Sequence, residues 1–179
     1  MALTGSIALL IMSSLLLWAS RPGGSWSGSS SARFAAGIIL LVHALFSLID
    51  TGLPWSIRLL PQQLSLYAAL PLLACTLLAT QLNYHWSRLI WGRVLLALCV
   101  VFELMRRAGE LPLLLWITLA LALLSAVLAL PRNARTALPA VAAWALLIVW
   151  QQYGWGYTGL NLWLAASLIP VIYLHRPGK

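Results

Sequence analysis

The residues best placed to do chemistry lie together in one apolar stretch of the chain. His43, Ser47 and Asp50 are spaced i, i+4 and i+7, which puts all three on one face of a helix. His43 lies ten residues from Arg33, about 15 Å along a helix, so we expect its imidazole near the middle of a membrane. An ionisable group there indicates function, here a path for a proton or a polar solute from the outer surface. The alternative is a neutral His43 bonded to a neighbouring helix, with Asp50 at the outer boundary.

A second group of charges lies where another apolar run ends. Glu103 can pair with Arg106 or Arg107, and Arg106 with Glu110, because these residues are helix neighbours. This outer ionic group could bind a polar ligand at an outward-facing opening. Alternatively, it is a charge-balanced turn that lets arginines lie on the outer side of a membrane.

A single arginine, Arg93, lies inside the apolar run that follows Arg88. Its guanidinium could hold a lipid phosphate or a substrate anion, since it suits bidentate contact with oxygen anions. Alternatively, the side chain extends to the headgroups, which lie about one and a half helical turns away.

The histidines and cysteines do not form a cofactor site in the sequence. His85 and His175 fall at run ends while His43 is central, and Cys75 and Cys99 form neither a CxxC pair nor a metal spacing. No catalytic motif such as Gly-x-Ser-x-Gly or His-Glu-x-x-His occurs. We therefore predict no metal, no cofactor and no catalytic residue, and a non-catalytic role is preferred over an enzymatic one.

Seven apolar runs must position all of these residues. The chain has 179 residues, 62% of them hydrophobic and 8% charged, whereas a soluble domain carries about a quarter charged residues. A spanning helix needs about 20 apolar residues, and helices satisfy the backbone in lipid. We predict an all-α bundle of about seven transmembrane helices in a single integral membrane domain, with six if the sixth run does not cross. The runs are 3–18, 34–49, 64–82, 89–105, 111–130, 137–150 and 160–174.

Some residues inside the runs have an expected depth or partner. Trp163 lies near a run end, where an aromatic ring is expected at headgroup depth. Trp116 and Trp144 lie deeper and are expected to pack between helices. Isolated polar residues such as Asn161 are expected to hydrogen-bond between helices.

The charges between the runs sort by side. All three acids, Asp50, Glu103 and Glu110, lie in or beside the even-numbered gaps, where three arginines balance them. The formal net charge of +8 therefore lies on the other side, which the positive-inside rule makes cytoplasmic. We expect the N-terminus outside and the C-terminus in the cytoplasm. The cytoplasmic set is Arg21, Arg33, Arg88, Arg93, Arg132, Arg135, Arg176 and Lys179.

The same pattern indicates partners and location. The basic residues are singles and pairs beside apolar runs, which excludes the continuous basic stripe that nucleic acid requires. They suit anionic lipid headgroups on the cytoplasmic side. We expect a multi-pass protein of a bacterial inner membrane that is an accessory or structural subunit of a larger membrane complex. The alternatives are a small proton-coupled or polar-solute transporter that uses the His43–Ser47–Asp50 face and, more distantly, a membrane-embedded lipid or redox enzyme.

Overall fold

The chain folds into helices throughout the part that the structure describes. A computed structural model describes residues 2–21, 27–49, 55–131, 134–152 and 156–174, and these ranges contain no strand. The predicted all-α fold is therefore confirmed.

Seven continuous helices make up the described ranges. The third contains a π-helical segment, Ser65–Ala69, between Trp55–Leu64 and Leu70–Gln81, and the three parts together are α3. The others are α1 (Ala2–Ala19), α2 (Gly28–Leu48), α4 (Arg88–Ala108), α5 (Leu111–Ala129), α6 (Ala134–Gln152) and α7 (Gly156–Leu174).

Local sequence signals explain where several helices begin and end. Ser27 precedes α2, and its Oγ accepts a hydrogen bond from the backbone N–H of Ser30 at 3.2 Å, which is ordinary N-capping. After α4, Gly109 takes the left-handed conformation with φ of +77°, which a residue without a side chain adopts readily. Pro112 then lies in the first turn of α5, where its missing N–H costs nothing.

Helix α3 begins at Trp55, nine residues before the predicted run 64–82. It runs through Pro61, whose ring removes a backbone hydrogen bond from the ladder. Ser65 lies one turn later, and its hydroxyl donates to the Pro61 carbonyl at 2.9 Å. The π-helical segment starts at this residue, and such segments absorb local irregularities in a helix.

Small and hydroxyl side chains are buried in the bundle beside leucine and tryptophan, and many large apolar side chains lie on its outside. Thr118 and Ser125 are buried and donate to carbonyls of their own helix at 2.8 and 2.6 Å, whereas Leu89 and Leu146 are 78% and 69% exposed. A soluble protein rarely shows so many large apolar side chains at its surface, but membrane helices pack through small residues. Among the described residues, three helical segments are long and apolar enough to cross a membrane: Gly28–Leu48, Leu59–Gln81 and Leu111–Ala129.

The helices close into a ring with one helix on its outside. Helix α1 packs against α2 and α7, α6 lies between α5 and α7, and α3 packs against α2 and α5. Helix α4 lies against α2, α3 and α5 and fully buries only Trp91 and Phe102 of its own residues, whereas α5 buries eight. One side of α4 therefore packs against the bundle, and the opposite side is exposed.

The structure describes all three tryptophans that the sequence analysis singled out. Trp144 is buried as expected, but Trp163 is buried too, and its Nε1 donates to the Leu147 carbonyl of α6 at 3.0 Å. Helix α7 begins four residues before the predicted run, so Trp163 already lies in its second turn, against α6. Trp116, expected between helices, is instead 36% exposed.

Candidate functional site

His43 lies at a junction of three helices. Its side chain is 5% exposed, and Nε2 is 2.9 Å from Oδ1 of Asn161 on α7. The Nδ2 of Asn161 donates in turn to Oγ of Ser6 on α1 at 2.8 Å. One amide therefore links α2, α7 and α1, and we call His43, Asn161 and Ser6 the three-helix clamp.

The amide sets the tautomer of a neutral His43 imidazole. Because Asn161 uses Nδ2 as the donor towards Ser6, its Oδ1 faces His43 and can only accept. Nε2 of His43 therefore carries the proton, and in the neutral ring Nδ1 is left with the lone pair. The bond from His43 to α7 agrees with the structural alternative of the sequence analysis, a histidine bonded to a neighbouring helix.

The three side chains of the clamp do not form a route for proton transfer. A carboxamide has no protonation change in the ordinary pH range, so Asn161 can orient His43 but cannot pass a proton from Ser6 by repeated transfer. The contacts instead fix the mutual rotation of three helices. This arrangement is the usual use of isolated polar groups in membrane bundles.

Of the other two residues of the predicted face, the structure describes Ser47 but not Asp50. Ser47 is exposed, and its hydroxyl donates to the Ala44 carbonyl of its own helix at 2.8 Å. Asp50 lies outside the described residues, so its position relative to His43 stays a prediction. Asn161 forms the hydrogen bonds between helices that are expected of an isolated polar residue. Ser6, a small hydroxyl residue in an apolar run, was not predicted from the sequence.

The three clamp residues lie at corresponding levels of their helices. Ser6 is the fifth residue of α1, Asn161 is the sixth of α7, and His43 is the sixth from the end of α2. Helices α1 and α7 thus begin at the same end of the bundle, where α2 finishes. The two run in the same direction, opposite to α2.

The outer ionic group forms around Glu103. This carboxylate accepts from Arg106 Nε and Nη2 at 2.9 and 3.0 Å and from Arg107 Nε at 2.9 Å. The possible Arg106–Glu110 pair is absent from the described residues, because α4 ends at Ala108 and left-handed Gly109 turns the chain away. Helical i, i+4 spacing therefore stops before Glu110.

Arg93 is exposed on α4. It lies one turn from Leu89 and Leu96, which are 78% and 67% exposed, so its side chain leaves the helix on the side away from the bundle. Whether it contacts phosphate or only extends towards headgroups stays a prediction.

An apolar groove of about 300 Å³ lies between α6 and α7. Its walls are Pro139, Ala140, Ala143, Ile169 and Pro170, so it offers hydrocarbon contact and no side-chain hydrogen bond. Such a groove suits an acyl chain better than a polar substrate.

The described histidines, cysteines and acids are scattered. No three of them lie close enough to hold a metal ion in the described ranges. Cys75 and Cys99 are free and half-buried, His85 is exposed, and His175 lies outside the described residues. Comparison with protein-family models, curated proteins and solved structures found no match to this chain.

Proposed function

We propose that the chain is an accessory or structural subunit of a larger complex in a bacterial inner membrane. The observation that carries this proposal is the position of α4. This helix holds five charged residues, four of them exposed and Glu103 half-buried, yet it is the helix that the bundle covers least. Charges in membrane helices normally face a protein interior or a water-filled cavity. Arg88, Arg106 and Arg107 lie at the ends of α4, so Arg93 is the cation inside the apolar run that a partner covering α4 would surround.

The proposed topology has seven crossings, with the N-terminus outside and the C-terminus in the cytoplasm. The parallel course of α1 and α7 supports it, because an odd number of crossings requires the first and last helices to run the same way. The alternative of six crossings applies if α6, which contains Pro139, does not cross. In the proposed topology, anionic headgroups on the cytoplasmic side would face the cationic end of the bundle.

The three-helix clamp also favours a structural role over transport. His43 bonds Asn161 through Nε2, and Asn161 bonds Ser6 through Nδ2. These hydrogen bonds hold helices together, so the polar groups of the clamp serve the packing of the bundle.

The experiment is purification of the tagged chain from its own host in a mild detergent. We expect one membrane protein to co-purify in fixed ratio, and deletion of the chain to lower the amount of that partner in the membrane. A tagged membrane protein of similar size from the same host is the control. Purification of the chain alone, with no membrane protein lost on deletion, would refute the proposal.

The second candidate function is a proton-coupled or polar-solute transporter that uses His43, Ser47 and Asp50. It has one specific observation in its favour: an ionisable side chain, 5% exposed, lies in one of the three segments apolar enough to span a membrane. The test is reconstitution of the pure chain in vesicles that contain a pH-sensitive dye. Proton flux that is lost in His43→Ala but kept in Ser6→Ala would favour this function over the subunit role.

A further inference from the structure

The side of α4 that points away from the bundle has a composition of its own. Its residues recur every three or four positions along the helix, opposite the buried Trp91 and Phe102. Most are large and apolar, with exposures from 59% to 78%. We call this the outer face of α4, and it consists of Leu89, Gly92, Arg93, Leu96, Val100 and Leu104.

Gly92 has no role in the packing of its own chain. A Cβ added at this position would meet nothing within 4 Å, although glycine weakens a helix interior relative to alanine. In membrane helices a small residue lets a second helix approach closely. Gly92 is therefore explained by a contact outside the chain.

Arg93 lies next to Gly92, and no acid among the described residues lies at its level. The three acids are Asp50, Glu103 and Glu110, and Glu103 lies ten residues further along α4, about 15 Å away. Glu103 is also already bound to Arg106 and Arg107. The proposed topology places Asp50 on the outer side and Arg93 on the cytoplasmic side, so a carboxylate that pairs with Arg93 in bidentate geometry would come from another molecule.

A second copy of this chain does not supply that carboxylate. Copies in one membrane share an orientation, so a two-fold axis through this face would be normal to the membrane and would place like residues together. Arg93 would then meet Arg93 of the other copy, a repulsive contact. Glu103 and Glu110 of that copy would lie at the opposite end of α4.

We propose that the outer face of α4 binds a transmembrane helix of a different protein, which packs closely at Gly92 and presents a carboxylate to Arg93. This inference rests on the proposed subunit function and specifies its contact surface. Charge complementarity at Arg93 and open space at Gly92 are independent features, and both point to the same occupant.

The test is photo-crosslinking in intact membranes, with a photoreactive amino acid at position 96 or 146. Leu96 on the outer face and Leu146 on α6 are matched controls, since they are 67% and 69% exposed. We expect position 96 to give one crosslinked protein whose labelled peptide is apolar and contains Asp or Glu, and position 146 to label lipid. Lipid adducts alone at position 96, or a crosslink to a second copy, would overturn the proposal.

Substitutions test the charge directly. Arg93→Glu should lower the recovered crosslinked partner by about tenfold or more, and Arg93→Lys by less, because lysine keeps the charge but not the bidentate contact. Arg135→Glu, at an exposed arginine of α6, should leave recovery unchanged. Equal recovery from Arg93→Glu and the unaltered chain would refute the assigned contact.

The outcomes separate this proposal from the subunit function. If a partner co-purifies in fixed ratio but crosslinks only from other helices, the subunit function holds and the outer face of α4 is the wrong surface. If no partner co-purifies or crosslinks from any helix, both fail. Because Arg93 is exposed, its variants should fold normally, which an unchanged thermal unfolding curve of the purified chain would verify.

Discussion

The three-helix clamp makes a quantitative prediction for Asn161→Ala. This substitution removes two contacts between helices, of 2.9 Å to His43 and 2.8 Å to Ser6. Such hydrogen bonds contribute about 0.6 kcal/mol on average and up to about 1.7 kcal/mol in membrane bundles. The His43 N–H is also left unpaired at a buried position, which costs about 1–3 kcal/mol. We therefore expect the free energy of unfolding to fall by about 1–3 kcal/mol.

The assay is reversible unfolding in mixed detergent micelles, followed by tryptophan fluorescence, with a double-mutant cycle over His43→Ala and Asn161→Ala. The coupling energy should be about 0.6–1.7 kcal/mol, because each single substitution breaks the same contact. Ser47→Ala is the matched control on α2. Its exposed hydroxyl bonds only its own helix, so the change should stay within about 0.5 kcal/mol.

Two results would refute this reasoning. A coupling energy below about 0.3 kcal/mol would mean that the two substitutions are additive and that His43 and Asn161 do not hold the helices together. An Asn161→Ala variant as stable as Ser47→Ala would mean that the buried imidazole needs no acceptor. Either result would argue against a structural role for His43 and favour the transport function.

Three further substitutions test the packing and the outer ionic group in the purified chain, each by the same unfolding assay. Trp163→Phe should cost about 1 kcal/mol more than Trp144→Phe, because the Trp163 N–H bonds the Leu147 carbonyl, while Nε1 of Trp144 has no partner among the described residues; equal losses would contradict the assigned bond. Gly28→Ala should cost about 1–3 kcal/mol, since the added Cβ would clash with the Trp86 carbonyl oxygen, whereas Gly92→Ala should stabilise by up to about 1 kcal/mol; a neutral Gly28→Ala would disprove that close approach. Glu103→Gln should change stability by less than about 1 kcal/mol, because its ion pairs are at the surface, and a larger loss would show that the outer ionic group is structural.

The helical fold follows from composition and spacing. Long apolar runs interrupted by short polar gaps leave the backbone one way to satisfy itself in lipid, and helices occupy the described ranges. The separation of ten residues between Arg93 and Glu103 is also readable from the sequence. The count of seven crossings and their direction stay predictions.

Local rules fail where the chain leaves regular geometry. Arg106 and Glu110 have the spacing of a helical pair, but α4 ends between them and Gly109 reverses the backbone. Trp163 lies near the end of its predicted apolar run but is the eighth residue of α7, because the helix starts earlier than the run. Apolarity marks the middle of a helix better than its ends, since end positions depend on capping and turn geometry.

Sequence alone determined that His43 is an ionisable residue deep in an apolar helix, and therefore that it needs either a function or a partner. Tertiary structure supplied a partner, by bringing Asn161 to His43 across 118 residues of sequence and Ser6 to Asn161 across 155. Helical periodicity relates residues within about two turns, so it sets the face on which His43 lies. The partner on that face depends on how helices rotate and pack against one another, and packing is a property of the whole bundle.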